Sequence, residues 1–377
     1  MSDRLTLGVI SSSRKENELR LPIHPGHIDE LPAGLRERIH LERGYGTRFD
    51  ATDAELEPLV GGLRSREELL SASDVVLLPK PTVADLEGMG EGGVLCGWVH
   101  CVQDPELTQV AIDKRLTLIA WEAMNHWSHD GSFGLHVFHQ NNELAGYGSV
   151  LHAMQLGGTT GEYGRRLSAV VIGFGATGRG AVLALRALGI SDVTVLTHRE
   201  VSAVADPIHS VRLVTYGRDR GGALVVDGRP GSIAEFLADH DVIVNCVFQD
   251  TEAPMTFVSR DEVSLFRRGT TFVDVSVDAG MGFEWARPTS FEDPTFEVAP
   301  GVRCYAVDHS PSLLWASATW EISRALIPYL QPLGDGPAAW ERDETLRRAI
   351  EIRDGVVQNP RILSFQGREP DYPHARR

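Results

Sequence analysis

Leu167-Ser168-Ala169-Val170-Val171-Ile172-Gly173-Phe174-Gly175-Ala176-Thr177-Gly178-Arg179-Gly180-Ala181-Val182 joins an apolar run to three glycines spaced G-x-G-x-x-G and then to a segment with helical periodicity. The pattern alone is weak, but its context is what a dinucleotide site requires: an apolar strand before it and a helix opened by it. Gly173 permits a tight turn, Gly175 lets backbone N–H groups approach a pyrophosphate, and Gly178 lets the helix pack closely on the strand. The helix then turns its positive dipole end toward the phosphates. A glycine-rich turn in an ordinary α/β domain would carry the same glycines. Strand, loop and helix in register favour the nucleotide site, with Gly173, Gly175, Ala176, Thr177 and Gly178 as its contacts.

The next strand, Asp192 to Leu196, ends at Thr197-His198-Arg199, roughly twenty residues past the loop, where an acidic residue would hold the ribose of NAD. None is present. Thr197, His198 and Arg199 are instead suited to a 2′-phosphate, so the expected cofactor is NADP, with NAD as the alternative. Arg199 beside Glu200 also reads as a solvated strand end.

Outward from this loop, the chain has 377 residues, more than one core usually organises, so two domains are expected. Its 42% hydrophobic and 23% charged content is that of a globular protein. A formal net charge of -16 argues against nucleic acid and anionic membranes as partners, since both reward Lys and Arg. The N-terminal residues lack the basic-then-apolar pattern of a secretory signal. Leu167 to Ile190 is greasy enough to suggest a membrane span, but Arg179, Arg186 and its glycines point to a strand, turn and helix. Cys96, Cys101, Cys246 and Cys304 have no zinc-ligand spacing, and His136 and His139 lack a third ligand, so no metal is expected. Reduced thiols in a cytoplasmic protein are the expectation.

Before the glycine loop, Leu5–Ile10, Asp74–Leu78, Gly93–Trp98 and Leu116–Ala120 are apolar strands alternating with helical patterns such as Ser65–Leu70, the mark of a buried parallel sheet. Glu143 to Leu156 reads as a helix linking two domains. After the loop come a helix over Arg179–Leu188 and strands at Val242–Cys246 and Thr271–Val275, and from about Leu313 the chain is helical again. The tail from Gln366 is polar and expected to be loose. The fold class is α/β, with two Rossmann-like domains of parallel sheet separated by an active-site cleft. The expected segments are 1–142, a substrate domain; 143–310, the dinucleotide-binding domain; and 311–377, which either completes the second domain or returns to the first.

Open α/β sheets bind ligands beyond the carboxyl ends of their strands. Lys80, in Leu77-Leu78-Pro79-Lys80-Pro81, and His100, in Gly97-Trp98-Val99-His100, both sit there, and Arg20 ends a polar loop before Pro22. A carboxylate substrate calls for an Arg fork and a Lys charge, and proton transfer calls for a group titrating near neutrality. Each residue has a bland alternative, since a lone strand-end Lys is usually solvated and a lone His usually structural. Asp278, at the end of Val273-Asp274-Val275-Ser276-Val277-Asp278, is either a nicotinamide-edge group or a turn cap.

With these residues in place, the sequence resembles the alanine dehydrogenase / transhydrogenase α-subunit superfamily, and in particular saccharopine dehydrogenase and N5-(carboxyethyl)ornithine synthase. The landmarks run from Glu18-Leu19-Arg20-Leu21-Pro22, Lys80 and Gly97-Trp98-Val99-His100 through Ala145-Gly146-Tyr147 and the glycine loop. They continue to Val244-Asn245-Cys246, Val273 to Asp278, and Asp308-His309-Ser310-Pro311-Ser312-Leu313-Leu314. The resemblance implies that Arg20 and Lys80 engage a carboxylate, that His100 is the acid/base, and that Asp278 lies beside the nicotinamide. It adds Cys246 and Val247 to the cofactor contacts and His309 to the substrate contacts, and it implies that the C-terminal helices return to the first domain. Alanine dehydrogenases carry Asn-Met-Pro where this chain has His309-Ser310-Pro311, a run that looks like saccharopine dehydrogenase. The expected activity is therefore NAD(P)H-dependent reductive condensation of a small 2-oxo acid with an amino-acid amine. The alternatives are an amino-acid dehydrogenase using ammonia and a non-catalytic nucleotide-binding module. Small molecules are the expected partners, and a homo-oligomer is compatible with the sequence.

Overall fold

The computed structural model describes residues 4–198, 208, 211–219, 221–247, 249 and 254–377. The chain divides into two compact units, Met1–Phe138 with Trp315–Arg377, and His139–Leu314.

In the first unit, six parallel strands lie in the order Gly62–Arg64, Ile39–Glu42, Leu7–Val9, Val75–Leu77, Val94–Gly97 and Thr117–Ala120. Numbered along the chain this is 3-2-1-4-5-6, the doubly wound order, with its switch point between Leu7–Val9 and Val75–Leu77. Gly8 pairs with Val76 on one side and His40 on the other. Leu7–Val9, Val75–Leu77, Val94–Gly97 and Thr117–Ala120 are buried at every residue, as parallel strands inside a sheet are, whereas Ile39–Glu42 alternates buried with half-buried residues. Arg66–Ala72 starts in a Ser65/Glu68 capping box, and Pro105–Asp113 is capped by Asp104.

Residues from Trp315 onward belong to this unit. Thr319 Oγ1 accepts the Leu21 N–H at 3.0 Å, and Ser323 Oγ meets His27 Nδ1 at 2.9 Å, both from the helix Trp315–Gly334. Two strands legible only in three dimensions, Ile350–Arg353 and Val356–Val357, extend the sheet antiparallel beyond Thr117–Ala120. The tail is not loose. Gln366 ends the helix Pro360–Gln366, and Arg368 and His374 beyond it are buried, 3% and 1% exposed. Composition suggested mobility because it cannot register the contacts these residues make with a segment more than 250 positions away.

The second unit repeats the order. Arg212–Arg218, Asp192–Thr197, Ser168–Ile172, Val242–Asn245, Thr271–Asp274 and Val302–Tyr305 run parallel, again 3-2-1-4-5-6, with antiparallel strands Leu224–Val226 and Thr295–Ala299 at the edges. Alternate residues enter opposite cores. Val170, Ile172, Ile243 and Phe272 pack on one face, and Ala169, Val171, Val244 and Val273 on the other. The connecting helix begins four residues before its expected start, at His139, and runs to Leu156. It lies against the helix Ala176–Ala187 so closely that a Cβ at Gly146 would sit 1.9 Å from the Thr177 carbonyl oxygen, and one at Gly180 would sit 1.8 Å from that of Glu143. Thr271–Asp274 ends four residues short of Asp278, which occupies the following turn rather than the strand. Among the described residues no helix is long and apolar enough to cross a membrane.

Candidate functional site

Chemistry in the first unit gathers at the carboxyl edge of its sheet. Lys80 follows Val75–Leu77, His100 follows Val94–Gly97, and Glu122 follows Thr117–Ala120. These strands are neighbours in the sheet, so the three side chains are brought together. Lys80 Nζ lies 2.7 Å from His100 Nε2, and the His100 N–H donates to Glu122 Oε1 at 2.5 Å. The same carboxylate oxygen is 3.8 Å from His100 Nδ1. A contact between two nitrogens needs one lone pair and one proton. If Lys80 is the ammonium, His100 receives at Nε2 and carries its own hydrogen on Nδ1, toward Glu122. His100 adopts φ +47, a left-handed conformation uncommon for a non-glycine residue and enriched at functional sites.

Glu122 was not among the residues expected from the sequence, although the strand-end rule that selects Lys80 and His100 also selects it. Burial pushes its carboxyl up to about 7, and the neighbouring negative charge of Glu351 acts in the same direction. Its Oε2 is buried with no hydrogen-bond partner among the described residues.

Arg20 is 3% exposed. Its Nε donates to Glu18 Oε1 at 2.7 Å, its Nη2 donates to Glu18 Oε2, and its guanidinium lies 4.6 Å from the Trp98 ring centre. Trp98 is in turn packed edge-on against Trp121. The Arg cation is thus held rigidly by a carboxylate fork and an aromatic face. Glu18 and Trp98 both stand in the motifs around Arg20 and His100, but neither residue type signals a site role by itself.

In the second unit, Gly173 has φ +93 and its N–H donates to the Leu196 carbonyl at 2.8 Å, and a Cβ at Gly178 would sit 2.1 Å from the Gly173 carbonyl oxygen. At Gly175 a Cβ would meet nothing within 4 Å, so the loop is open where a pyrophosphate would approach. Gly175 caps the helix Ala176–Ala187, whose first amides lack intrahelical acceptors. These residues fit a dinucleotide. Thr197 closes its strand buried, and His198 Nδ1 contacts Tyr216 Oη at 3.3 Å. Arg199 lies outside the described residues.

Along the same edge, Asn245 Nδ2 donates to Asp274 Oδ1 at 3.0 Å, the Val247 N–H donates to Asn245 Oδ1 at 3.2 Å, and Ser276 Oγ donates to the Val247 carbonyl at 2.7 Å. Cys246 is half-buried in this network, and burial pushes its thiol up. Asp274 is fully buried, its carboxyl pushed up to about 7 by burial. Val277, a β-branched residue, is held at φ +56, with its N–H 3.3 Å from Asp274 Oδ1. Such strain persists only where the surroundings enforce it, and it places Asp278 half-buried just beyond, its carboxyl also raised by burial. Asp274 was read as a strand residue only. His309 is buried and paired through Nδ1 with Asp308, while Ser310 next to it donates to the Ala145 carbonyl. Among the described residues no group of three or more His, Cys, Asp or Glu could hold a metal ion.

Both halves of the chain match one family. Residues 8–143 match the model for alanine dehydrogenase/PNT, N-terminal domain, and residues 150–360 match alanine dehydrogenase/PNT, C-terminal domain. The chain belongs to the alanine dehydrogenase/PNT family. Alanine dehydrogenase of Lysinibacillus sphaericus is 27% identical, covering 94% of this chain and 95% of the relative, and that of Mycobacterium tuberculosis is 25% identical over 95% and 96%. Among solved structures, an L-alanine dehydrogenase superposes with a TM-score of 0.76 at 22% identity, covering 96% of this chain and 99% of the other. A transhydrogenase from Sinorhizobium meliloti does so at 0.69 and 19%, over 94% and 99%. These structural likenesses bear on the fold, and they show the two-domain α/β architecture expected from the sequence. Family membership makes the chain an oxidoreductase that works with a nicotinamide cofactor.

Proposed function

We propose that this protein is an amino-acid dehydrogenase that interconverts a small 2-oxo acid plus ammonia with the corresponding amino acid, using NAD. The reading is supported by the end-to-end similarity to alanine dehydrogenases together with the Lys80–His100 contact at 2.7 Å. This displaces amine condensation as the leading assignment. The expectation of NADP rests on the missing strand-end acid and on Thr197, His198 and Arg199, whereas similarity to alanine dehydrogenases favours NAD.

Arg20, locked by Glu18 and Trp98, gives the oxo acid's carboxylate a fixed cation, with Lys80 as a second charge. His100 moves the proton as the carbinolamine loses water, and the Lys80 and Glu122 contacts keep its ring oriented. The loop Gly173 to Gly178 and the amides of the following helix hold the cofactor's phosphates, and Thr197, His198, Cys246 and Val247 line the expected path of its nucleoside and nicotinamide ends. Asp278 orients the reacting groups. When bound, the nicotinamide supplies or accepts hydride at the substrate carbon.

A second reading, condensation with an amino-acid amine, is favoured by Asp308-His309-Ser310-Pro311, where His309 would contact the second substrate. A panel of 2-oxo acids with ammonium, lysine or ornithine, with NADH and NADPH oxidation followed and products weighed by mass spectrometry, separates the two. Turnover with ammonium and pyruvate is expected. Secondary-amine products alone would install the second reading, and cofactor binding without any turnover would remove both.

A further inference from the structure

We infer that the C-terminal segment is a clamp on the loop that carries His100, and that Gln366 is its positioning residue. This inference rests on His100 being the acid/base. The loop between the strand Val94–Gly97 and the helix Pro105–Asp113 is a tight reversal. His100 is left-handed, and its carbonyl accepts both the Gln103 and Asp104 N–H groups at 3.1 Å. Two carbonyls of this reversal, those of Cys101 and Val102, lie beside a buried core, where polar backbone requires partners. Thr108 Oγ1 donates to that of Cys101 at 2.8 Å, and the Gln366 amide reaches both. Its Nε2 donates to the Cys101 carbonyl at 2.6 Å and lies 3.3 Å from both the Val102 carbonyl and Thr108 Oγ1.

The amide is itself held in one orientation. Arg368 Nε donates to Gln366 Oε1 at 2.6 Å, which assigns the oxygen and nitrogen without ambiguity. Arg368 also donates to Gln109 Oε1 at 2.7 Å and to the Pro105 carbonyl at 3.1 Å, so one buried guanidinium ties the tail to the helix that ends the loop. Beneath them His374 accepts the Val357 N–H at Nε2 and meets the Glu369 carbonyl at Nδ1, both at 3.1 Å. The strand Ile350–Arg353 of the same segment carries Glu351, anchored by Asn359 Nδ2 at 2.7 Å, near Glu122. Lys80 and Glu122 touch His100 directly, and Glu351 stands behind Glu122. A residue over 260 positions away fixes two consecutive peptide groups next to the left-handed His100, and with them the direction of its ring.

The test uses the full chain with Gln366→Met, which keeps the side chain's volume and removes the donor, and Phe365→Ala, a change at an exposed neighbour on the same helix, as control. Gln366→Met is expected to lower kcat about tenfold with KM for the nicotinamide cofactor within about twofold, and to shift the His100 imidazole titration, followed by NMR of histidine-labelled protein and assigned with His100→Ala, by at least half a pH unit. Phe365→Ala should move neither. A Gln366→Met protein with wild-type kcat and an unmoved His100 titration overturns the clamp. Should that variant not accumulate folded, Arg368→Lys, which loosens the amide without removing it, is expected to give the same two changes at about half the size, and none of them would be equally fatal. His100→Ala separates the premises. If it retains turnover, the acid/base reading fails, while the titration shift still decides whether Gln366 positions the ring.

Discussion

The two sheets of this protein share one strand order and differ in what fills their carboxyl edges. After its first strand the second unit has Gly173 to Gly178 and then a helix whose first amides point outward. After its first strand the first unit has Ile10-Ser11-Ser12-Ser13 and a long loop, with no helix start at that position. There the Ser11 N–H, the counterpart of an amide that could meet phosphate, donates to Glu42 Oε2 at 2.6 Å. Glu42 ends the second strand, where a nucleotide site keeps its ribose-binding acid. The first unit thus has the topology of a dinucleotide fold with its phosphate position closed by its own carboxylate. Its edge is given over to side chains, Lys80, His100 and Glu122, in place of backbone amides. In the function proposed above, one fold serves two tasks because the task lies in the loops.

The sharpest way to break this comparison is on the side-chain edge. His100→Ala is expected to lower kcat by roughly 10²–10⁴-fold, the usual worth of an acid/base group, with cofactor Kd, measured by nicotinamide fluorescence, unchanged. A variant with near wild-type kcat would leave the first unit without a catalytic role. On the backbone edge, Gly175→Val should weaken the cofactor by about 10–100-fold, a few kcal/mol of lost phosphate contact, while leaving Tm nearly unaltered, because its Cβ would meet no protein atom within 4 Å. Unchanged affinity would remove the glycine loop from the site.

Glu122→Gln sharpens the picture further. Losing the carboxylate 3.8 Å from Nδ1 lowers the His100 pKa, so the acidic limb of the kcat/KM profile should move to lower pH, with kcat down about fivefold. A superimposable profile would show that Glu122 serves only the fold.

The smallest effect concerns stability. Folding raises Asp274 from 3.8 to about 7. Below pH 3.8 both states hold the proton, and between there and 7 the unfolded chain has lost it while the fold keeps it. The wild type therefore loses stability across that window as pH rises. Asp274→Asn lacks this loss, so its unfolding free energy relative to wild type, from denaturant melts, should climb between pH 4 and 7, by an amount on the order of 1 kcal/mol. A constant difference would mean that the carboxyl is solvated.

Much of this was legible in the sequence. The glycine loop, the apolar strands and the strand-end positions of Lys80 and His100 follow from local pattern, since periodicity and glycine spacing are properties of consecutive residues. Glu122 obeys the same strand-end rule but is not distinguished by it, because a lone Glu after a strand carries no chemical signal of its own. Asp278 ends the run from Val273, but the strand stops at Asp274, because apolar alternation continues through Val275 and Val277 although the backbone at Val277 has turned left-handed. The order of the tail is hidden for the opposite reason. Gln366 and Arg368 are polar in a polar stretch, and their partners are the carbonyls of Cys101, Val102 and Pro105, which no composition reveals.

By itself the sequence determined the strand, glycine loop and helix that we propose receive a dinucleotide's phosphates, because that demand falls on adjacent residues: a turn, a close approach and a helix start. It also placed a lysine and a histidine beyond the ends of strands. Tertiary structure decided that those two meet at 2.7 Å with Glu122 beside them, that Arg20 is gripped by Glu18 and Trp98, and that Gln366 reaches back to the loop of His100. Those outcomes depend on the order of strands in the sheet and on closing loops of hundreds of residues, and neither is encoded within any one segment.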